Sequence, residues 1–481
     1  MIETKLYGCL IHFLSGVYWS IKRLKNYLRS VWLALNLPGP RALPVLGNAL
    51  TITDTDALVK IATNISQLYA PLCRTWMFFL PIIIVYEPED LKAILSNTKV
   101  SDKNFFYSVM HTFIGDGLIT STGSKWRKHR KLIQPLFQNN LLEGYLETFT
   151  EMSSKMLEEL CKGPDTLGIT KSINTAILNI LHKAILGVTL TSEQETPFRR
   201  GELLIIKRVL KPWLLFESIF KHSQMSRDES RQFDNLHSYI RKIFNERLAQ
   251  RKDKLRKTTC LLDQLMELPE LSPEDIFNEA VTFMLAGQDS VGATVAFALF
   301  QLAKNPEVQE KVHKEISEFF YSDQITMTQL NQMIYLEQCI KETLRLLPSI
   351  PLISRVLTSD ISLGKHTIPC GTDIFISPFA THRLPHFFPE PLKFDPERFR
   401  SDKLKKMHPY SFLPFSSGPR NCIGFKFAYF QMKVLIASIV KNYSIALRDG
   451  CQDLKLAYRV TLRAKGGIWL TIQPRKKRYV D

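Results

Sequence analysis

Residues 412 to 424 read F-L-P-F-S-S-G-P-R-N-C-I-G, and this stretch carries most of what the sequence indicates about the fold. Cys422 is its centre, because a cysteine thiolate is a strong metal ligand. Gly418 and Gly424 allow the backbone to approach a flat cofactor closely. Apolar residues then recur at helical spacing from Phe427 to Ile439. We therefore expect Cys422 just before a helix, where the positive end of the helix dipole favours a thiolate.

The spacing around the cysteine is more specific than the cysteine itself. An isolated cysteine is more often a buried small hydrophobic residue than a ligand. Here the pattern F-x-x-G-x-R-x-C-x-G is complete, as Phe415, Gly418, Arg420, Cys422 and Gly424. It resembles the haem-binding loop of the cytochrome P-450 superfamily. The resemblance implies that Cys422 is the axial ligand of haem b iron, that Phe415 covers the sulfur and that Arg420 contacts a haem propionate.

Composition is typical of a globular protein with a large core: of 481 residues, 45% are hydrophobic and 23% are charged. The eight cysteines are scattered without a C-x-x-C pair, which favours a reducing, cytosol-facing environment. The formal charge of +17 indicates a partner with negative potential, such as a membrane surface or an acidic protein. No nucleic-acid-binding motif accompanies this charge, so we expect no nucleic-acid partner.

A membrane segment is predicted at residues 6 to 21, which are mostly apolar and carry no formal charge. The basic residues that follow are Lys22, Arg23, Lys25 and Arg29. This order favours an anchor whose basic flank stays in the cytoplasm. The segment is shorter than the roughly 20 residues of a spanning helix, so a helix lying in the membrane interface is an alternative. Glu3 is the only acid among the first thirty residues, which leaves a mitochondrial transit peptide open.

The proline-rich stretch at residues 37 to 47, L-P-G-P-R-A-L-P-V-L-G, is expected to separate this anchor from the folded body. Proline removes backbone donors and restricts backbone geometry, so such a stretch is typical of a boundary. A similar segment joins anchor and catalytic domain in the cytochrome P-450 family. We predict an anchor with its basic flank over residues 1 to 36 and a single catalytic haem domain over residues 37 to 481.

Residues 123 to 137, G-S-K-W-R-K-H-R-K-L-I-Q-P-L-F, place Trp126 and Arg130 four residues apart on one face of a predicted helix. Alone, this basic run is more often a solvated helix face. The pair resembles the W-x-x-x-R element of the cytochrome P-450 family, which implies that both side chains hold a haem propionate.

The tetrapeptide Ser272-Pro273-Glu274-Asp275 predicts the start of a helix that runs to Lys304, because it combines an N-cap hydroxyl, an early proline and an acid at the third position. In mid-helix, A-G-Q-D-S at residues 286 to 290 breaks the apolar pattern. An acid beside an alcohol can pass protons through water. The pentad resembles the family's A-G-x-D-T element, which implies catalytic roles for Asp289 and for Ser290, which stands in the threonine position.

Residues 279 to 289 partly resemble the animal fatty-acid ω-hydroxylase branch of the superfamily, the family 4-like proteins. Many members of that branch carry a glutamate, able to esterify the haem, where this chain has Ala286. The departure excludes a covalent haem link from this position and weakens the inference of fatty-acid ω-specificity.

Glu342 and Arg345 lie three residues apart on another predicted helix, and Arg398 follows in F-D-P-E-R-F at residues 394 to 399. An E-x-x-R pair alone is usually a surface ion pair. The resemblance implies that the three side chains form a buried cluster that supports the haem loop. It also implies that Arg355 turns toward a propionate.

The last part of the chain, residues 454 to 473, predicts two strands joined through Lys465-Gly466-Gly467, with the hairpin tip as a wall of the substrate pocket. The fold class predicted for the whole chain is mainly α with a smaller β region, the cytochrome P-450 fold. Haem b is expected between the helix from 273 to 304 and the helix that follows Cys422.

The resemblance implies a haem-thiolate monooxygenase that inserts one atom of O2 into a lipophilic substrate: a fatty acid, terpenoid or hormone, hydrocarbon or xenobiotic. Electrons are expected from NADPH through a flavin-containing reductase that docks on a basic face formed near Lys125, Lys128, Lys426 and Lys433. The expected location is the endoplasmic reticulum membrane, with the catalytic domain facing the cytoplasm. Two alternatives are a haem-thiolate isomerase or dehydratase, which needs no reductase, and a non-catalytic haem-binding protein.

Overall fold

The computed structural model describes residues 2–51, 54–69, 71–98, 102–138, 142–190, 201–252, 260–320 and 325–475. Most of them are helical. In chain order the α-helices are α1 Ile2–Asn36, α2 Thr55–Tyr69, α3 Pro88–Leu95, α4 Phe105–Ile114, α5 Gly123–Ile133, α6 Leu146–Lys162, α7 Ile169–Leu181, α8 Gly201–Val209, α9 Glu217–Phe220, α10 Gln224–Lys252, α11 Leu261–Met266, α12 Pro273–Lys304, α13 Pro306–Phe319, α14 Met327–Gln332, α15 Ile334–Leu346, α16 Pro378–Thr381, α17 Ser401–Leu404 and α18 Phe425–Asn442.

Strands form a smaller part of the fold. They are β1 Leu72–Met77, β2 Leu80–Val85, β3 Thr166–Gly168, β4 Ile353–Val356, β5 Ile361–Leu363, β6 His366–Ile368, β7 Asp373–Ile376, β8 Tyr443–Leu447, β9 Leu456–Arg459, β10 Thr461–Ala464 and β11 Trp469–Pro474. The largest sheet has the order β1-β2-β7-β4, with β2 and β7 parallel and the other pairs antiparallel. The prediction of a mainly α fold with a smaller β region is confirmed.

The C-terminal hairpin differs from its prediction. Its strands are β9 and β10, which pair antiparallel and turn at Val460, whose φ is 71°. Gly466 and Gly467 also have positive φ, but they connect β10 to β11, which belong to different sheets. The predicted hairpin turn at 465 to 467 is therefore wrong. A β-branched valine rarely adopts a left-handed φ, so its sequence neighbourhood offered no turn signal.

Helix α12 is the central element of the core. Ser272 and Asp275 form the predicted capping box, in which the Ser272 hydroxyl accepts a hydrogen bond from the Asp275 N–H at 3.1 Å. The helix is apolar on most of its surface and is buried against α7, α15 and α18. Among the described residues it is also the helix long and apolar enough to span a membrane, but 72% of that apolar window is buried inside the protein.

The C-terminal end of α1 packs on the folded body. Leu33 and Ala34 are buried in the apolar cluster around the β1-β2-β7-β4 sheet. Arg29, expected in the basic flank of the anchor, pairs with Asp360 at 2.6 Å. The predicted membrane segment, residues 6 to 21, falls mostly outside the side chains that the structure describes, and its insertion stays a prediction.

Candidate active site

The loop before α18 holds Cys422 at the wall of an internal cavity. The Cys422 N–H donates to the carbonyl of Phe415 at 2.9 Å, which closes the loop, and α18 begins three residues later. Gly418 has φ of 71°, and a Cβ atom at this position would lie 1.8 Å from the backbone oxygen of Leu95. Only glycine fits here without displacing backbone, because both the left-handed φ and the close approach exclude a side chain.

The Cys422 thiol faces a cavity of about 760 Å³, which Phe415 also lines. Burial raises the pKa of the thiol, whereas the backbone N–H of Gly424 and the charge of Arg130 act in the opposite direction. A bound metal ion would deprotonate a coordinating thiol outright. The loop therefore presents a sulfur ligand at the cavity wall, with donors that stabilise its anionic form.

Four residues of the α12 pentad line the same cavity as Cys422, whereas Gln288 is buried elsewhere. The Ser290 hydroxyl donates to the carbonyl of Ala286 at 2.7 Å, and Gly287 lets α12 approach Leu181, since a Cβ atom there would lie 2.8 Å from a Leu181 methyl group. Asp289 forms an ion pair with Arg463 on β10. The structure thus places Asp289 and Ser290 at the cavity but gives each a separate partner. Sequence reasoning missed Arg463, for which no local pattern exists.

A cluster of cations forms another part of the cavity wall. Arg130, Arg355 and Arg420 all line the cavity, and the Arg420 guanidinium lies 3.9 Å from the ring centroid of Trp126. Arg130 donates to the backbone and side-chain oxygens of Asn421, at 2.9 and 2.6 Å. The structure therefore brings together four residues predicted separately from three motifs.

Lys103 is a further member of this cationic cluster, and Tyr107 contacts it; neither residue was predicted. Lys103 lines the cavity with its ammonium group 4.0 Å from the ring centroid of Tyr107, and the Tyr107 hydroxyl is hydrogen-bonded to Arg355. Burial, together with Arg355, lowers the pKa of Lys103 and lowers that of Arg420 to about 9. Asp102 is the acid that acts on Arg420. Of these four cations Arg355 is buried and the other three are half-buried, and so little counter-charge beside them is costly, which indicates an anionic ligand.

Helix α5 is locked to α12 by a buried acid. Glu279, fully buried on α12, accepts a hydrogen bond from the backbone N–H of Leu118 at 3.0 Å and contacts Nδ1 of His129 at 2.8 Å. Burial raises the pKa of Glu279, and His129 opposes that shift. Because His129 lies between Trp126 and Arg130 on α5, this contact sets the position of both side chains.

Glu342, Arg345 and Arg398 meet in the interior. Arg345 contacts Glu342 through two nitrogen–oxygen pairs at 2.7 and 2.8 Å, and Arg398 Nε lies 3.4 Å from the same carboxylate. Arg345 also donates to the carbonyl of His382 at 2.9 Å, and His382 Nε2 accepts from the Leu413 N–H at 2.7 Å. The cluster is thus linked through His382 to the loop that holds Cys422.

Comparison with known proteins assigns the family. The family model described as Cytochrome P450 matches residues 37–470. The chain is 44% identical to "Probable cytochrome P450 4aa1" of Drosophila melanogaster, covering 96% of this chain and 94% of that protein. It is 32% identical to "Cytochrome P450 4V2" of Mus musculus (95% and 93% covered) and 34% identical to "Cytochrome P450 4c21" of Blattella germanica (91% and 93% covered).

The chain belongs to the cytochrome P450 family. The relatives carry family 4 names, so the predicted resemblance to the family 4-like branch is confirmed. Membership makes the protein a P450 monooxygenase and implies a haem cofactor.

The cavity wall of this cytochrome P450 fits a haem. Cys422 supplies a sulfur ligand, and the cationic cluster suits two propionates. Residues that line the cavity have buried polar atoms without a hydrogen-bond partner among the described residues, for example Arg420 Nε and Ser416 Oγ. Such orphaned donors are costly in a finished site, and an anionic cofactor would satisfy them.

One residue predicted for the electron-donor face is placed elsewhere. Lys433 is buried on α18, where its ammonium group donates to the carbonyl of Leu330 at 2.8 Å and pairs with Glu337 at 2.7 Å. It cannot contact a partner protein, and the prediction for Lys433 is wrong. The helical period of α18 places Lys433 on the buried face of the helix, although its charge had indicated an exposed position.

Proposed function

We propose that this cytochrome P450 binds haem b between α12 and α18, with Cys422 as axial ligand, and inserts one atom of O2 into a lipophilic substrate. The observation that carries the proposal is the shared cavity: the Cys422 sulfur, the α12 pentad and the cationic cluster line one internal space. Haem bound through a thiolate supplies the activation of O2 and the cleavage of the O–O bond.

The cationic cluster would hold and orient the cofactor. Arg130, Arg355 and Arg420, with Trp126, are proposed to bind the propionates, and Lys103 joins them on the structural grounds given above. Phe415, Gly418 and Gly424 would shape the loop around the sulfur. Charge-assisted hydrogen bonds to carboxylates are about twice as strong as neutral ones, so this cluster would hold the propionates firmly.

Asp289 and Ser290 would deliver protons at the cavity. The Ser290 hydroxyl is already a donor at the cavity wall, although it is directed to the Ala286 carbonyl. It can rotate toward a cavity water, because a serine hydroxyl turns about its Cα–Cβ bond. Asp289 would accept a proton from water and pass it on to the serine, and its ion pair with Arg463 would hold the carboxylate in place.

Electrons would come from NADPH through a flavin-containing reductase. Helix α5 supports this part of the proposal, because its inner face carries Trp126 and Arg130 whereas Arg127, Lys128 and Lys131 are exposed. An acidic partner would therefore dock within one helix diameter of the proposed cofactor. Electrostatic steering of this kind raises association rates.

The endoplasmic reticulum membrane is the proposed location, with a mitochondrial one as the alternative. Large apolar side chains are exposed on α1 and beside it, among them Leu28, Trp32 and Phe79. The Tyr27 hydroxyl donates to the carbonyl of Phe79 at 2.9 Å, so these residues share one surface. An exposed apolar surface next to an apolar N-terminal segment suits membrane association.

The experiment is a ferrous carbon monoxide spectrum of the full chain, followed by reconstitution with reductase and NADPH. The red-shifted band of thiolate-ligated haem is expected in the wild type and absent in Cys422→Ala. Survival of that band in Cys422→Ala would exclude Cys422 as the ligand. Turnover without NADPH would favour the alternative of a haem-thiolate isomerase or dehydratase. Bound haem without O2 consumption would favour the alternative of a non-catalytic haem-binding protein.

A further inference from the structure

Glu279 on α12 connects the two segments that carry the proposed propionate-binding residues. We propose that Glu279 is a positioning residue for the haem propionates. One of its carboxylate oxygens holds the turn that orients Arg420, and the other holds the helix that carries Trp126 and Arg130. The inference rests on the proposed haem site and adds to it a residue that does not itself line the cavity.

The first branch of contacts leads from Glu279 to Arg420 through the turn at residues 117 to 121. Glu279 Oε2 accepts a hydrogen bond from the Leu118 N–H at 3.0 Å. Two carbonyl groups of this turn, those of Leu118 and Ser121, accept from the Arg420 guanidinium at 3.4 and 2.8 Å. A backbone hydrogen bond of 2.9 Å from the Ser121 N–H closes the turn. The hydrogen bond to Glu279 therefore fixes both carbonyl groups that orient Arg420.

The turn lies directly against α12 at Gly117. A Cβ atom at this position would lie 2.2 Å from Thr282 Oγ1 and 3.0 Å from the carbonyl oxygen of Asn278, both on α12. The same atom would lie 3.1 Å from Glu279 Oε2. Glycine permits this close approach of backbone, which brings the Leu118 N–H within hydrogen-bond distance of the carboxylate.

The second branch leads from Glu279 to α5 through His129. Glu279 Oε1 lies 2.8 Å from His129 Nδ1, and both side chains are buried. Trp126 and Arg130 belong to the same helix as His129, so the contact also holds them. The branches meet again at Arg420, whose guanidinium lies 3.9 Å from the ring centroid of Trp126. The contacts thus form a closed ring that holds Arg420 from two sides.

A further tie between α5 and α12 lies nearer the surface. Lys125 pairs with Asp275 at 2.8 Å, and 36% and 22% of these side chains are exposed. Exposed ion pairs contribute little stability. Glu279, in contrast, is completely buried, where a carboxylate is costly even with hydrogen-bond donors. A carboxylate at this position is therefore better explained by the two segments that it joins than by a gain in net stability.

The rate of haem transfer from the haem-loaded full chain to excess apomyoglobin tests the proposal. Glu279→Leu removes both acceptor oxygens and should accelerate haem loss about tenfold or more, since loss of an outer hydrogen-bond partner costs metal sites about 10- to 100-fold in affinity. Glu279→Gln keeps an acceptor for the Leu118 N–H and should stay within about threefold of the wild type. Ile133→Val is the control, because Ile133 is buried on α5 but does not line the cavity, and it should also stay within about threefold.

A double-mutant cycle with Arg420→Lys distinguishes positioning from general destabilisation. Lysine keeps the charge but lacks the planar fork of donors, so Arg420→Lys interrupts the first branch at its far end. In this background Glu279→Leu should accelerate haem loss by at most about threefold. The effect of Ile133→Val should be the same in both backgrounds.

Two results would overturn the proposal: haem loss from Glu279→Leu within about threefold of the wild type, or an equal effect of this change in both backgrounds. If Glu279→Leu does not fold, His129→Leu takes its place, because it interrupts only the second branch. It should accelerate haem loss about fivefold, and a rate within about twofold of the wild type would equally overturn the proposal. Absence of the carbon monoxide band in the wild type would instead contradict the proposed haem site, so failures of the two proposals are distinguishable.

Discussion

Asp289 and Ser290 show how single residues acquire partners that sequence does not reveal. Asp289 is tied to Arg463, and the Ser290 hydroxyl donates to the Ala286 carbonyl at 2.7 Å. A buried or half-buried aspartate without a partner would be expensive, so Arg463 explains why an acid is tolerated in mid-helix. The two residues can act together only through water in the cavity.

Ser290→Ala should lower product formed per NADPH and increase the release of hydrogen peroxide. The expected loss is about tenfold, smaller than for a complete general acid, because Asp289 remains. Ser290→Thr keeps the hydroxyl and should retain coupling. Measuring product, NADPH and peroxide in the reconstituted system checks this, and unchanged coupling in Ser290→Ala would remove Ser290 from the relay.

Gly418→Ala should disrupt the cysteine loop far more than an alanine placed at a glycine whose only constraint is a positive φ. The new Cβ atom would lie 1.8 Å from the Leu95 backbone oxygen, so backbone must move. Gly371→Ala is the matched control, because Gly371 has φ of +87° and no atom within 4 Å of its Cβ position. The control should cost about 1–2 kcal/mol, and Gly418→Ala should in addition lose haem. Haem content and urea unfolding of both variants test this; equal effects would contradict it.

At the scale of elements, α15 is connected to the cysteine loop by a short chain of contacts. Glu342 and Arg345 are completely buried, Arg345 donates to His382, and His382 accepts from Leu413 at the start of the loop. An ion pair in the interior contributes little net stability, but the loss of one partner leaves a charge uncompensated. The pair therefore fixes α15 relative to the loop.

Glu342→Gln should destabilise the folded protein by about 3–5 kcal/mol, because two arginines lose their counter-ion in the interior. Glu151→Gln is the control: Glu151, on the surface of α6, pairs with Lys155 at 2.9 Å and also with Lys183, and its replacement should cost less than about 1 kcal/mol because both pairs are exposed to solvent. Chemical unfolding of haem-loaded protein measures both. A decrease of less than about 1 kcal/mol in the free energy of unfolding of Glu342→Gln would contradict the prediction. It would show that water or other groups compensate the charges of the two arginines.

For the whole molecule, α12 joins the two halves of the site because it crosses the main apolar core. That core includes α12, α7 and α18, whereas a second cluster around the β1-β2-β7-β4 sheet receives the end of α1. Several ionisable groups are buried in these cores, and those whose pKa burial shifts link folding to pH.

Because of His182, the free energy of unfolding should decrease as the pH falls. Burial lowers its pKa to about 4, against about 6.5 in the unfolded chain. Between these two pKa values only the unfolded chain binds the proton. As the pH falls, His182 should therefore lower the free energy of unfolding by about 1.4 kcal/mol per pH unit. Burial raises the pKa of Asp373 to about 6, and this opposes the trend in the same window. The prediction is therefore a difference between wild type and variant.

The test compares unfolding free energies of wild type, His182→Gln and His222→Gln between about pH 6.5 and 4.5. His182 is buried and His222 is exposed. Stability of His182→Gln should depend less steeply on pH than that of the wild type, and His222→Gln should match the wild type. Parallel curves for all three proteins would show that His182 titrates normally in the fold.

Local patterns determined much of this protein in advance. The cysteine loop, the α12 capping box and the face shared by Trp126 and Arg130 depend on residues close in sequence, whose backbone geometry follows from spacing and side-chain type. These features predicted the family and the mainly α fold, both confirmed. Proline, glycine and helical periodicity carry this information because they act within a few residues.

Tertiary packing decided the contacts between distant segments. It placed Arg463 on Asp289, brought Lys103 and Tyr107 to the arginines, and buried Lys433. None of these pairs shares a local pattern, because each depends on how separate helices and strands meet around the core. The grouping of Lys103, Arg130, Arg355 and Arg420 on one cavity wall exists only in the assembled fold, where burial makes every unpaired charge costly.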